Sequence, residues 1–426
     1  MSSELSSAVP VADTGRTITE PASPDGPGES PETPMTRAVR DILTGSWPIT
    51  VLAVLLGLVS GMVLIVATDP NVHAAISYFF GRPGATFSAA GSAVGGACEA
   101  LFRGGIYDYS QGSFSAGINS LFNTVNDATP LIASGLGLAI GFRAGVFNIG
   151  GQGIILVGGA VAGWVGFAWS LPFGLHMLVA VLGALVAGGL WTALVGVLKA
   201  YTGAHEVIVT IMLNYVAFYL IDFLLHTSVL RAPGTQNPQS PAEKPTAVLF
   251  PLLGSSYPQI NFGFILVILA TILAWWLLSR SSLGFRLRAV GENPRAARIA
   301  GIDVNATFIT AMVISGVFVG LAGAYQVLGQ NTSGFGNSFD AGIGVTAITV
   351  ALLGRNTPGG VFAAGLLFGF LQAGGATLQA ARGVDIDLVQ VMQYVIVLFI
   401  AAPPLVRAMF RLPAPSRRRA ARGGTP

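Results

Sequence analysis

The sequence predicts an all-α protein, a polytopic transmembrane helical bundle of about ten spans, and three observations support this. Only 10% of the 426 residues are charged, against roughly 25% in an average soluble domain. Runs without Asp, Glu, Lys or Arg are long, since 55 residues separate Arg143 from Lys199 and 36 separate Asp303 from Asp340. The 56 glycines suit membrane helices, which approach one another closely through small residues. Because about 20 apolar residues cross a bilayer, each long run has room for at least one span.

Ten apolar segments are predicted to cross the membrane. They are 47–67, 128–142, 146–169, 174–198, 207–226, 261–279, 306–329, 340–354, 358–380 and 387–406. Residues 1–44 are rich in Pro, Ser and Gly and lack the apolar content to fold, so they predict a disordered cytoplasmic tail. Residues 45–406 form the predicted transmembrane domain, and 407–426 form a basic cytoplasmic tail.

The distribution of Lys and Arg predicts the orientation. With ten spans and a cytoplasmic N-terminus, the inside segments hold 17 of the 22 basic residues and the outside segments hold 5. The positive-inside rule therefore predicts that both termini are cytoplasmic. It places the loops 68–127 and 227–260 outside and the loop 280–305 inside. Each external loop is interpreted either as a docking surface for an outside partner or as an ordered cap over the spans.

Catalytic residues and metal ligands are not predicted for this chain. The four histidines are scattered without ligand spacing, and the lone Cys98 is interpreted as a small apolar residue. A phosphate-binding P-loop needs Gly-Lys-Ser/Thr, whereas Lys199 and Lys244 are followed by Ala and Pro. Nucleic-acid binding does not follow from the net charge of +3, because the basic residues lie at predicted span ends.

The predicted inside loop 280–305 contains the signals of a short helix. Asn293 is a good N-cap, Pro294 suits the first turn, and Gly301 is a natural stop, which predicts a helix over 294–300. Arg295 and Arg298 are three residues apart and share one face. A compact helix of this kind suits docking into a groove on another protein. The alternative is an anchor whose arginines contact only lipid headgroups.

Two predicted spans, 128–142 and 340–354, are short. Each has 15 residues, about 22 Å at 1.5 Å per residue, against a hydrocarbon core of roughly 30 Å. Each is followed by a glycine-rich stretch, and short, glycine-interrupted spans in both halves of a chain indicate a transport pathway. The alternative is that the glycines serve only tight helix packing.

Uncharged polar and aromatic residues near these spans are the predicted contacts of a transported solute. They are Phe142, Phe147, Asn148, Gln152, Asn214, Tyr215 and Gln326. Amides supply donors and acceptors for a neutral, hydroxyl-rich solute, and aromatic rings supply a flat face for a base or sugar. Hydrogen bonding between helices is the alternative role for each of these residues taken singly.

Three stretches resemble a known family. AVGENPRAARIAGI (289–302) is similar to the cytoplasmic coupling loop of ABC-importer permeases, specifically the type-2 binding-protein-dependent component. GFRAGVFNIGGQGIILVGG (141–159) and GAHEVIVTIMLNYVA (203–217) resemble its nucleoside and simple-sugar branch, which is related to branched-chain amino acid permeases. The resemblance covers about residues 45–405. Where that family usually has Ala-Glu-Gly-Gln after Phe-Asn-Ile-Gly, this chain has an amide at Gln152 in place of the carboxylate.

The resemblance implies a multi-pass permease of the cell's cytoplasmic (inner) membrane that imports a nucleoside or simple sugar. Its implied partners are an ABC ATPase subunit, a second permease that is homologous or identical, an extracytoplasmic solute-binding protein and membrane lipid. ATP and Mg would be used by the ATPase, leaving this chain without a cofactor. The implied coupling residues, which transmit ATP-driven motion, are Gly291, Glu292, Asn293, Pro294, Arg295, Arg298 and Gly301.

A self-sufficient secondary transporter or channel is the alternative function. Proton coupling normally uses acids or histidines inside the membrane. Glu206, Asp222 and Asp340 all lie near the ends of predicted spans, which disfavours a proton-coupled carrier. Sodium coupling through backbone carbonyls is left open by the sequence.

Overall fold

Helices make up nearly all of the regular structure in the computed structural model, which describes residues 47–254, 256–402, 405–406 and 409–410. In chain order they are α1 Trp47–Thr68, α2 Pro70–Ile76, α3 Pro83–Gly105, α4 Phe114–Gly117, α5 Asn119–Arg143, α6 Gly151–Ala168, α7 Leu175–Thr202, α8 Glu206–Leu225, α9 Phe262–Arg280, α10 Ser282–Glu292, α11 Pro294–Ile299, α12 Val304–Tyr325, α13 Ile343–Leu353, α14 Pro358–Arg382 and α15 Ile386–Ala401. These ranges contain no β-strand, only an isolated bridge between Pro251 and Asn261. The predicted tails 1–44 and 407–426 lie outside the described residues, except for 409 and 410.

Seven helices in the described ranges are long and apolar enough to cross a membrane. They are α1, α6, α7, α8, α9, α12 and α14. The other three predicted spans coincide with α5, which begins with a polar stretch, and with α13 and α15, which have only 11 and 16 residues. The all-helical membrane bundle is therefore confirmed, while the count of ten spans stays a prediction.

The centre of the bundle is built by α6, α7 and α12 through direct contact of their backbones. A Cβ added to Gly158 would lie 3.1 Å from the Cα of Gly320, and one added to Gly188 would lie 3.0 Å from the same atom. The carbonyl oxygen of Gly316 also faces Gly188. Because any side chain at these positions would collide with a neighbouring backbone, the glycines fix how closely the three helices approach.

Helix α5 begins nine residues before the predicted span 128–142. Its polar beginning is accommodated because α12 continues through a π-helical turn, Gln326–Gln330, that faces it. The Tyr325 hydroxyl donates to Oδ1 of Asn126 (2.7 Å), and Nε2 of Gln330 donates to the Asn126 carbonyl oxygen (3.0 Å). These partners hold polar residues inside the bundle that the sequence had placed in a loop.

The predicted external loop 68–127 contains three helices, α2 to α4, and the start of α5. Nε of Arg103 donates to Oδ1 of Asp108 at 2.9 Å, and the Tyr109 hydroxyl donates to Oε1 of Glu99 at 2.7 Å. The Thr124 hydroxyl reaches the Gly105 carbonyl oxygen at 2.6 Å. The segment is thus ordered by its own hydrogen bonds.

The second long connection, 226–261, lies over the C-terminal end of α6. Nζ of Lys244 donates to the Trp169 carbonyl oxygen (2.7 Å), and the backbone nitrogen of Glu243 donates to the Thr332 carbonyl oxygen (2.9 Å). The Glu243 side chain is only 6% exposed, and neither carboxylate oxygen has a hydrogen-bond partner among the described residues. Burial raises the pKa of this carboxyl from its usual 4.5 to about 8.

The raised pKa of Glu243 predicts that acid stabilises the fold. The folded protein keeps a proton that the unfolded chain releases near pH 4.5, so this stabilisation is lost as the pH rises towards about 8. Each unit of pKa difference corresponds to about 1.4 kcal/mol. We expect the thermal unfolding midpoint of the wild type to fall between pH 5 and pH 8 by more than that of Glu243→Gln. Equal falls in the two proteins would contradict the assignment.

Candidate functional site

Between α5 and α6 the chain leaves helical geometry over residues 144–150, here called the junction loop. Its turn begins at Gly145, whose φ of +73° suits glycine. The side chain of Asn148 is fully buried and holds the loop from within. Its Oδ1 accepts from the Gly150 backbone nitrogen (2.8 Å), and its Nδ2 donates to the hydroxyl of Ser315 (3.0 Å).

A second amide, that of Asn214 on α8, binds the junction loop from the other side. Its Oδ1 accepts from the Gly153 backbone nitrogen (2.9 Å), and its Nδ2 donates to the Ile149 carbonyl oxygen (3.0 Å). Backbone that leaves helical geometry inside a membrane protein needs such partners, because hydrocarbon offers no hydrogen-bond donors or acceptors. Asn148 and Asn214, both predicted as solute contacts, therefore have the geometry of supports for the interrupted helix.

The junction loop ends at the first turn of α6, which contacts the first turn of α13. A Cβ added to Gly151 would lie 2.7 Å from the Gly344 carbonyl oxygen, so the two backbones touch. Helix α13 has 11 residues, about 16 Å, roughly half of the hydrocarbon core. The first turns of α6 and α13 thus meet inside the bundle, and the N-terminal ends of helices favour acceptor or anionic groups.

One carboxyl group and one amide lie at this meeting point. Asp340 is 3% exposed, its Oδ2 accepts from the backbone nitrogen of Gly342 (3.3 Å), and the Gln152 side chain lies against it. Gln152 itself is half-buried. The sequence placed Asp340 at a span end and gave it no role. The contact between these residues joins positions nearly 190 residues apart, which no local pattern reveals.

A cavity of about 180 Å³ opens beside the start of α13, between that helix, α14 and α15. It is lined by Ala341, Gly342, Val345, Thr346, Gln372, Val389, Gln390, Gln393 and Tyr394. Three amides and a phenol make this a hydrogen-bonding surface, smaller than the roughly 300–1,000 Å³ of ordinary ligand pockets. None of the predicted solute contacts lines this cavity. The available signal was Gln390 and Gln393, one helical turn apart in an apolar span.

The predicted aromatic residues are more exposed than the amides. Phe142 and Phe147 stack with ring centroids 4.6 Å apart, and Phe147 remains 41% exposed. Tyr215 is 58% exposed and points away from the bundle on a face of α8 shared with Met212 and Tyr219. Only 17% of α8 is buried, so this face is free to meet lipid or another chain.

Gln326, the last predicted solute contact, lies away from the others. It is 2% exposed within the π-helical turn, and its Oε1 and carbonyl oxygen both accept from Nδ2 of Asn331. The structure therefore brings Asn148, Gln152 and Asn214 together around the junction loop. Gln326 belongs to a separate polar group near Tyr325.

The first of the predicted coupling residues, Gly291, contacts the end of α5. Gly291 lies against the carbonyl oxygen of Arg143, and its Cα is 3.2 Å from where a Cβ on Gly145 would be. Nε of Arg143 donates to the Asn356 carbonyl oxygen (2.9 Å), beyond the last turn of α13. Arg143 thus joins the coupling segment, the junction loop and the turn after α13 at one end of the bundle.

Helix α11 confirms the short helix predicted at 294–300. Oδ1 of Asn293 accepts from the backbone nitrogens of Arg295 and Ala296 (3.0 and 3.1 Å), and Pro294 occupies the first turn. The chain leaves the helix through Gly301, whose φ is +82°. The side chains of Arg295 and Arg298 on this helix are exposed, as is that of Glu292 at the end of α10, while Ala297 is buried. The helix therefore exposes its arginines and buries Ala297 against the rest of the chain.

A salt bridge fixes the junction loop at the same end. Nζ of Lys199 lies 2.6 Å from Oε2 of Glu206, and Oε1 of Glu206 accepts from the Phe147 backbone nitrogen (3.4 Å). Lys199 also lies 5.0 Å from the ring centroid of Phe308 on α12. These contacts tie α7, α8 and α12 to the loop that positions α6.

Comparison with known proteins identifies the family. Residues 120–401 match the family described as the branched-chain amino acid transport system permease component. The chain belongs to this family of type-2 ABC-importer permeases. It is therefore the permease subunit of an ABC importer and a multi-pass protein of the cell membrane. Permeases of this family work with an ATPase and an external binding protein.

Curated relatives of the permease include three from different organisms. The guanosine ABC transporter permease of Bacillus subtilis is 38% identical over 286 residues, covering 67% of this chain and 81% of the relative. The nucleoside ABC transporter permease of Lactococcus lactis is 32% identical over 303 residues, covering 68% and 81%. The glucose ABC transporter permease of Haloferax volcanii is 34% identical over 285 residues, covering 64% and 73%. No solved structure matches the chain.

Proposed function

We propose that the permease forms one half of the translocation path for a neutral polar solute, a nucleoside or a simple sugar. The guanosine, nucleoside and glucose permeases among its relatives support this solute class. The observation that carries the proposal is the meeting of α6 and α13 at Gly151 and Gly344, with amide and carboxyl groups around it. The amides of Gln152 and Gln372 both donate and accept, as sugar hydroxyls and bases require.

The mechanism follows from the contacts at Arg143. ATP hydrolysis on a partner would displace α11, and Gly291 would pass that motion to the end of α5. From Arg143 the motion reaches the junction loop directly and the turn after α13 through the Asn356 carbonyl oxygen. Helices α6 and α13 would then shift together, opening the path to one side of the membrane and closing it to the other.

The orientation in this proposal is the one that the basic residues indicate. Ten spans place both termini, including the tails 1–44 and 407–426, in the cytoplasm, together with the coupling loop 280–305. The segments 68–127 and 227–260 are then external. Under this arrangement Gly291 and Arg143 lie on the cytoplasmic side, where an ATPase would bind.

The remaining partners follow from surfaces that the chain leaves open. A second permease, identical or homologous, would cover the exposed face of α8 with Tyr215 and Tyr219, and would complete the cavity beside α13. The external segments would receive the solute-binding protein. ATP and Mg would bind to the ATPase, because this sequence has no P-loop; the permease itself has no ATPase site and no cofactor in this proposal.

Reversing two charges on α11 tests the proposal. In vesicles holding the permease, its ATPase and its binding protein, Arg295→Glu with Arg298→Glu should lower ATP-driven nucleoside uptake at least tenfold. Membrane insertion should be unchanged, because both side chains are exposed. Arg82→Glu, an exposed arginine on the other side in the proposed topology, is the control and should retain uptake.

Two results would overturn the proposal. Uptake by the double variant at the wild-type rate would remove the coupling role of α11. Uphill uptake by the permease alone, without ATPase, would show that its energy comes from elsewhere. Isotope uptake and co-purification of the ATPase measure the two outcomes separately.

A further inference from the structure

An apolar groove lies between the first turns of α1 and the facing ends of α13 and α14. Its volume is about 540 Å³, within the range of small-molecule sites. Leu353 and Ala364, 5% and 4% exposed, form its floor, while Val51 and Leu55 on α1 stand at its rim, 46% and 50% exposed. Only 22% of α1 is buried, so the groove opens towards the surroundings of the bundle, which in a membrane are acyl chains.

One end of the groove carries a positive charge on a fixed turn. Arg355 lines this end, its side chain is exposed, and its guanidinium makes no hydrogen bond or ion pair with any described residue. The backbone at Arg355 and Asn356 has φ of +55° and +54°, a conformation unusual for residues with a side chain. The Thr357 hydroxyl donates to the Gly354 carbonyl oxygen (2.8 Å), which closes the turn.

Two other cavities in the described part of the chain lack one of these features. The groove between α6 and α7, about 520 Å³ and lined by residues such as Ala187 and Leu190, is apolar but has no charged residue. The cavity between α10 and α12, about 410 Å³, contains Arg286 but also the carboxylate of Asp303, which would repel an anion. Of these three cavities, only the groove beside α1 combines an apolar surface with a positive charge and no carboxylate in its lining.

We propose that this groove binds an anionic phospholipid, with an acyl chain along Leu55 and Ala364 and the phosphate against Arg355. Basic pockets between transmembrane helices on the cytoplasmic side are suited to anionic headgroups. The proposed topology decides only which leaflet supplies the lipid. The lipid site does not depend on which solute is transported, so the two proposals can be tested separately. Bound lipid would hold the 354–357 turn, whose Asn356 carbonyl oxygen accepts from Arg143, and so would act on the coupling contacts.

Native mass spectrometry of the delipidated full-length chain tests this site. The wild type is titrated with phosphatidylglycerol and with phosphatidylcholine of the same acyl chains. One charge near the surface is worth about fivefold in affinity, so we expect about fivefold tighter binding of phosphatidylglycerol. Arg355→Gln should remove this preference, and Arg355→Lys should keep it. Ala364→Phe should weaken binding of both lipids by filling the groove.

Two controls distinguish this groove from general lipid contact. Arg280→Gln removes an exposed arginine at the end of α9, outside the groove, and Ala187→Phe fills the uncharged groove; both should leave the preference unchanged. The proposal is wrong if Arg355→Gln keeps the wild-type preference or if the wild type has none. It is also wrong if lipid binds there only after residues 1–40 are removed, because the tail would then fill the groove.

Discussion

Replacing Gly344 with valine is expected to abolish transport and destabilise the permease. A Cβ at this position collides with the backbone of Gly151 and Gln152 at the start of α6, and neither backbone can move without shifting a helix. Overpacking of this kind typically costs about 1–3 kcal/mol. We expect a lower thermal unfolding midpoint and a loss of ATP-driven uptake of at least a hundredfold, measured in proteoliposomes with the partner subunits.

Gly359→Val is the matched control for this experiment. Nothing lies within 4 Å of a Cβ added to Gly359, which is exposed in the first turn of α14 and has no positive φ. Its uptake and unfolding midpoint should stay close to those of the wild type. If Gly344→Val also transports normally, the two helices do not need to touch, and the meeting point is not the site of transport.

Replacing Gly291 with valine is expected to separate ATP hydrolysis from transport. A side chain here would collide with the Arg143 carbonyl oxygen and push the coupling segment away from the end of α5. The exposed face of α11 is unchanged by this variant, so the ATPase should still bind and hydrolyse ATP. Uptake should fall at least tenfold at an unchanged rate of ATP hydrolysis, measured side by side in the same vesicles.

Arg143→Gln tests the other half of this connection. It removes the guanidinium that donates to the Asn356 carbonyl oxygen while leaving Gly291 free to contact the backbone of residue 143. We expect an intermediate loss of uptake, because the junction loop would still receive the motion but the turn after α13 would not. Full uptake by both variants would show that the coupling motion takes a different route.

Local features were predictable from the sequence because their causes are local. Helix α11 follows from Asn293, Pro294 and Gly301, whose capping and stop roles depend only on neighbouring residues. The interrupted segment at 144–150 follows from its glycines and asparagine. The membrane class follows from composition, which reports the surroundings of the chain without any knowledge of its fold.

Features that depend on distant residues were not predictable in the same way. Nothing around Asp340 indicates that it faces Gln152, and nothing around Gly291 indicates that it contacts Arg143. The role of a single amide in an apolar helix cannot be read from the sequence: the Asn214 amide hydrogen-bonds to backbone atoms, whereas Gln393 lines a cavity. The predicted span also began nine residues after the start of α5, because the partners of Asn126 come from α12 and the turn that follows it, about 200 residues away.

The glycine contacts among α6, α7 and α12 restrict which parts of the permease can move relative to one another. Backbones that touch at Gly158, Gly188 and Gly320 leave no side chains to change rotamer, so sliding would need the helices to separate. These three helices should therefore travel as a rigid body. Movement during the transport cycle would then occur between this group of helices and the rest of the bundle, and a crosslink from the group to a helix outside it should arrest the cycle in one state.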